Sequence, residues 1–112
     1  MDIRKLCAVL PAAMLALSLS ASAAPTHLTG TVTDSMCGLH HMLKDKPAKC
    51  TRDCVKSGSS YALAVHGRVI TLAPLNAPAK AALNRFAAQK VTLTGHYSGK
   101  IFDVTRVVEL RR

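Results

Sequence analysis

Apolar and polar residues change rhythm several times along this chain. In HLTGTVTD, residues 27–34, Leu28, Gly30 and Val32 alternate with Thr29, Thr31 and Thr33, the period of two that marks a half-buried strand. YALAVHG, 61–67, and RVITLA, 68–73, are apolar, β-branched runs meeting at His66-Gly67-Arg68. They read as two strands joined by a tight hairpin. Pro74 and Pro78 then punctuate the chain and Asn76 offers a cap. From Ala79, AKAALNRFAAQ puts Ala79, Ala82, Leu83, Phe86 and Ala87 on one face of a helix of about three turns. KVTLTGHY, 90–97, returns to period two through Val91, Leu93 and Gly95. Ser98-Gly99 makes a turn, and KIFDVTRVVEL, 100–110, reads as a last long strand.

Strand, cysteine-rich segment, strand, strand, helix, strand, strand is the element order of the OB-fold, a small and partly open barrel. The expected fold is therefore mainly β. It is a five-stranded OB-like barrel with one helix between strands 3 and 4, and a Cys/His-rich, partly helical insert at 34–58 between strands 1 and 2. An α+β sandwich that pairs the same elements differently is the alternative. The sequence shows neither an internal repeat nor a low-complexity tract.

Residues 1–23 follow neither rhythm. MDIRK is basic, LCAVLPAAMLALSLS is an apolar stretch of about fifteen residues, and Ala21-Ser22-Ala23 supplies small residues before Ala24. That is the pattern of a signal peptide cleaved before Ala24, with an uncut N-terminal anchor as the alternative. The stretch is short for a bilayer, which needs about 20 apolar residues, and Pro11 interrupts it. Export to the periplasm or medium is expected, with one domain at 24–112 and no membrane span after cleavage. Cys7 leaves with the leader.

Charge adds less than its size suggests. The chain carries +9, and losing Arg4, Lys5 and Asp2 leaves 13 basic and 5 acidic residues, or +8. A basic exported domain can meet an anionic envelope polymer or an envelope protein, although scattered basic residues also serve as a plain solvated surface. Single-strand binders need aromatic stacking platforms. Only Tyr61, Phe86, Tyr97 and Phe102 are aromatic, so a nucleic-acid partner is not expected.

The chemistry concentrates in DSMCGLHHMLKDKPAKCTRDCVKSG, 34–58, which has the form Cys37-x2-His40-His41-x8-Cys50-x3-Cys54. Lys49 to Ser57 reads as a helix with Gly58 as its C-terminal signal, placing Cys50 and Cys54 one turn apart on one face. Cys37 and His40 can share a turn. Three thiolates and an imidazole form a soft tetrahedral set suited to Zn or Cu(I), and the flanking Met36 and Met42 are further soft donors for Cu(I). Adjacent histidines cannot easily face one site together, and His40 is the preferred ligand.

The competing reading is a staple. Exported domains often carry disulfides, and Cys37 could pair with Cys50 or Cys54. Three cysteines after cleavage would then leave one thiol unpaired. Cys50-x3-Cys54 is not a redox C-x-x-C motif, and no haem-attachment, phosphate-loop or nucleophile-elbow motif is present. Asp34-Ser35 reads as a turn leading into Met36 and Cys37. A Ser35 nucleophile is disfavoured, and no enzymatic activity is expected.

GTVTDSMCGLHHM, CTRDCVKSGSSYAL, VTLTGHY and IFDVTRV together resemble a family of small exported bacterial proteins of unknown function. Its pattern is D-S-x-C-G-x-x-H followed by C-x-x-x-C-V-x-x-G-x-x-Y. The resemblance covers nearly all of 24–112 and implies a signal peptide and an OB-like barrel. Asp34, Ser35, Cys37, Gly38, His40, Cys50, Cys54, Gly58 and Tyr61 are the matching positions, so the resemblance implies that the cysteine segment is one unit. The function expected is a non-enzymatic module holding copper or zinc through Cys37, His40, Cys50 and Cys54. The alternative is a disulfide-stapled structural or interaction domain without metal.

Overall fold

All five expected strands form, and their sheet closes on itself. A computed structural model describes residues 24–111; the expected leader at 1–23, with Cys7, lies outside the described residues. The order is β1 (Thr26–Asp34), α1 (Pro47–Lys56), β2 (Tyr61–Val65), β3 (Arg68–Pro74), α2 (Ala77–Arg85), β4 (Lys90–Ser98) and β5 (Ile101–Glu109). Among the described residues no helix is long and apolar enough to cross a membrane.

Closure depends on β1 serving two neighbours. Its first half pairs with β4, from Thr26 opposite Gly95 to Thr31 opposite Lys90. Its second half pairs with β2, from Thr31 opposite Ala64 to Asp34 opposite Tyr61. A short parallel ladder, Leu72–Pro74 against Phe102–Val104, joins β3 to β5 and completes the ring β1-β2-β3-β5-β4. The hairpin between β2 and β3 turns on His66 and Gly67 at φ 47° and 77°, the left-handed pair that a two-residue hairpin requires. In β4 the register shifts between Thr94 and Gly95. A side chain at Gly95 would collide with the Asp103 carbonyl, so only glycine allows β5 so close.

The inward positions are those of the alternating pattern. Val32, Leu63, Val91, Leu93, Phe102 and Val104 have no exposed surface, and Leu83 of α2 joins them fully buried. The helix starts two residues earlier than expected, with Asn76 Oδ1 accepting the Ala79 N–H at 2.8 Å. Pro78 therefore lies in the first turn, where its missing N–H leaves no bond unmade. The helix also ends sooner, at Arg85. Beyond it, Ala88 N–H donates to Val32 O at 2.9 Å and Val32 N–H to Gln89 O at 3.0 Å, tying this connection back to β1.

β1 departs from strict alternation at its end. Thr33 and Asp34 are both buried, at 1% and 0% exposure, although the period of two puts Thr33 on the outer face. The chain after Asp34 folds back across that face and covers it.

Helix α1 is fastened to α2 from outside the ring. Arg52 Nε donates to Asn84 O at 2.8 Å and its Nη2 to Arg85 O at 3.2 Å. A guanidinium at carbonyls that end a helix also complements the helix dipole. Tyr61, 5% exposed, donates its hydroxyl to Asn84 Oδ1 at 3.1 Å, and burial pushes that phenol's pKa up against the opposing pull of Arg52. The orientation of α1 therefore depends on α2 being seated. Replacing Leu83 with Ala should destabilise the domain by about 3 kcal/mol, read as a lower urea midpoint with unchanged m-value.

Candidate metal centre

The segment after β1 is organised by one carboxylate. Asp34 Oδ2 accepts the N–H groups of Met36 at 3.0 Å and Cys37 at 2.9 Å, an Asx turn that reverses the chain. Gly38 N–H donates to Asp34 O at 2.9 Å and His40 N–H to Cys37 O at 3.0 Å, so the turn tightens further. Gly38 sits at φ 59°, which disfavours any residue with a β-carbon. The far end of the segment is fastened at the same place. Ser35 N–H donates to Ser60 O at 2.9 Å, the Ser35 and Ser59 hydroxyls meet at 3.1 Å, and Ser59 Oγ donates to Asp34 Oδ2 at 3.4 Å.

Helix α1 supplies the other two cysteines. It begins at Pro47, two residues ahead of the expected start, because proline suits a first turn. Its last turn ends with Ser59 N–H on Cys54 O at 3.0 Å, and Gly58, at φ 111°, carries the chain out of the helix. Lys49 and Asp53 pair at 2.6 Å on the outer side, leaving Cys50 and Cys54 on the side that faces Cys37.

Cys37 Sγ lies 3.6 Å from Cys50 Sγ and 3.6 Å from Cys54 Sγ. Neither disulfide open from the sequence is formed, since a bonded pair is about 2.05 Å apart, and all three cysteines are free thiols. Two overlapping donor groups result. In Cys37, His41 and Cys50 the ligand atoms all lie within 4.8 Å of one another, as they do in Asp34, Cys37 and Cys54. Cys37 is common to both.

The imidazole in this cluster belongs to His41, not to the expected His40, which is exposed. Cys-x2-His suggested a shared face, but the turn closed by His40 N–H on Cys37 O carries the chain past the site before the next residue returns to it. Thr33 fixes the His41 ring. Its hydroxyl donates to Gly38 O at 2.7 Å, so toward His41 Nε2, 3.5 Å away, it can only accept. An imidazole that donates to this hydroxyl from Nε2 has its lone pair on Nδ1, and Nδ1 is buried without a partner. Met36 and Met42 are 69% and 87% exposed.

The thiols on α1 are electrostatically unlike. The backbone amide of Leu43 holds the Cys50 thiol below its ordinary pKa, with help from Cys37, the Met42 amide and Cys54, against the effect of burial. Burial pushes Cys54 up to about 12, and Cys37 and the Asp34 charge add to the rise. Cys50 is thus the readier thiolate, while Cys54 is a protonated thiol at neutral pH.

Of the positions singled out in the sequence, Cys37, Cys50 and Cys54 converge. Asp34, Ser35 and Gly38 build the turn, Gly58 ends α1 and Tyr61 belongs to the core. His41 and Thr33 were missed as a pair. Asp34 was read as a turn residue only, although its second oxygen, Oδ1, is buried with no hydrogen-bond partner. Comparison with protein-family models, curated proteins and solved structures finds no match to this chain.

A thiol with a pKa near 12 stays protonated far above neutrality, and alkylation requires the thiolate. In chelator-treated protein, the alkylation rate of Cys54 should rise about tenfold per pH unit from pH 8 to 11 without levelling. An ordinary thiol levels off near pH 9–10. Peptide mapping distinguishes the two helix cysteines because Arg52 lies between them, and a Cys54 plateau near pH 9 would contradict the assignment.

Proposed function

We propose that this chain is an exported, non-enzymatic binding module that holds a soft metal ion, copper or zinc, through Cys37, Cys50, Cys54 and His41. One observation carries the reading: Cys37 Sγ sits 3.6 Å from each of two other sulfurs. Thiolates bound to one tetrahedral zinc at about 2.3 Å stand about 3.8 Å apart along an edge of the tetrahedron, so the spacing matches neighbouring ligands. The imidazole supplies the borderline donor common in such sets. Thr33 acts as the outer partner that orients a ligating histidine.

The OB-like reading of the scaffold is supported by the ring order, the parallel β3–β5 closure and the helix between β3 and β4. In that architecture the cysteine segment is an insert between strands 1 and 2, beside the face where such barrels take ligands. The motif resemblance, which spans D-S-x-C-G and C-x-x-x-C-V, supports treating the segment as a single unit. Metal entry would displace the Cys54 proton.

A second reading keeps the scaffold and drops the ion. Cys37 reaches Cys50 and Cys54 equally, so oxidation could staple the segment through either pair, leaving the domain to engage an envelope protein or anionic polymer. A groove with Leu28, Val69 and Tyr97 along its wall and His66, Arg68 and Lys100 beside them has the charge for that role.

Native mass, metal content and thiol counting on protein purified from the exported fraction separate the two. Bound Zn or Cu with three alkylatable thiols is the expected result. One thiol, two half-cystines and no metal would overturn the metal reading. Replacing His41 with Ala should weaken metal binding by about tenfold or more, whereas His40→Ala should leave it unchanged; equal effects would remove His41 from the site.

A further inference from the structure

We infer that the centre holds two divalent ions bridged by Cys37 Sγ, one bound by Cys50 and His41, the other by Cys54 and Asp34. This rests on the metal-binding reading and adds the number, charge and positions of the ions. The two donor groups overlap only at Cys37. A thiolate has more than one lone pair, so a single sulfur can serve both groups at once. Two ions that are each about 2.3 Å from one sulfur can be at most about 4.6 Å apart, and two-metal sites commonly have separations of about 3.5–4 Å.

Buried atoms without partners bear on the number of ions independently of the sulfurs. Asp34 has no exposed surface. Its Oδ2 is occupied by backbone N–H groups, while Oδ1 is buried and unpartnered. His41 Nδ1 is buried and unpartnered as well. Buried polar atoms without partners are rare in folded proteins, and an ion is one of the standard explanations. Here each donor group contains one such residue. A single ion bound by the three sulfurs and His41 would satisfy Nδ1 and leave Oδ1 unmade.

Charge leads to the same number. As metal ligands the three cysteines are thiolates and with the Asp34 carboxylate amount to −4, and no salt bridge to Asp34 is present among the described residues. One divalent ion would leave −2 in a partly buried site, and two monovalent ions would leave the same. Two divalent ions bring the cluster to neutrality, which low-dielectric surroundings favour strongly. Each ion then has three protein donors and one coordination position for water or an outside ligand, the pattern of open zinc sites.

Zinc titration of the reduced chain, read by native mass spectrometry and isothermal calorimetry, tests the inference. Two zinc ions per chain are expected, with a metal–metal distance below about 4.6 Å in X-ray absorption. Asp34→Asn keeps an oxygen to cap the turn and removes the charge, and should bind one ion. Cys54→Ser leaves the Asp34 turn untouched and should also bind one, so the conclusion survives if the asparagine variant misfolds. His41→Gln should lose the other ion. A stoichiometry of one in the parent chain overturns the second ion and leaves the metal reading standing. A stoichiometry of zero overturns both. Two ions that persist in Asp34→Asn and Cys54→Ser alike would be surface-bound, and would overturn the bridged pair.

Discussion

A carboxylate without exposed surface ends the first strand, and the arrangement of the donor segment depends on how it is held. Asp34 is the last residue of β1, opposite Tyr61 on β2, so its backbone position is set by the ring. Its Oδ2 takes two consecutive backbone N–H groups and thereby fixes the direction in which the chain leaves the sheet. Cys37 owes its position to that turn. The returning chain is fastened within the same few residues, through Ser35, Ser59 and Ser60, so the segment leaves the ring and rejoins it at one point. A burial penalty on a charged group is here offset by charge-assisted hydrogen bonds from the backbone, and those bonds also shape the site.

The ring was legible in the sequence because a half-buried strand states its own period. Val32, Leu63, Val91, Leu93, Phe102 and Val104 point inward as the alternation requires, and His66-Gly67 and Asn76 mark the hairpin and the cap at the positions where those devices occur. The three cysteines were legible as a group by composition alone. What the sequence could not show was the path of 35–46, a stretch with no strand or helix. Periodicity assigns faces within an element, but a loop has no period, so the choice between His40 and His41 was not available from spacing. Thr33 was misread for a related reason: its face looks outward within the sheet, and only the returning chain makes that face interior.

The segment is unusual in how little apolar surface it buries. Met36, Leu39, Met42 and Leu43 are 69%, 47%, 87% and 44% exposed, so hydrophobic burial, the usual source of cohesion, contributes little to holding 35–46 against α1. Backbone turns, the Thr33–Gly38 bond and the donor cluster remain. Helix α1, by contrast, is anchored through Arg52 to the end of α2, and α2 is anchored through Leu83 to the core. The two cysteines on α1 are therefore fixed by the scaffold, while Cys37 and His41 are placed by hydrogen-bonded turns with little apolar packing around them.

That division explains the chemistry the site is suited to. Two donors stand on a helix anchored to the core and the others on a turn held mainly by backbone hydrogen bonds, so the two sides of the cluster are supported by different kinds of interaction. A ligand set whose members otherwise stand as a protonated thiol, an unpartnered imidazole nitrogen and an unpartnered carboxylate oxygen gains most when cations arrive, because each group is then satisfied at once. The two thiols on α1 are unequal in this respect. Cys50, already favoured as a thiolate by the Leu43 amide, can take an ion without first losing a tightly held proton. Cys54 holds its proton more tightly because of its burial, its Cys37 neighbour and the charge of Asp34. The two halves of the cluster therefore differ in what deprotonation costs, although they share the sulfur of Cys37.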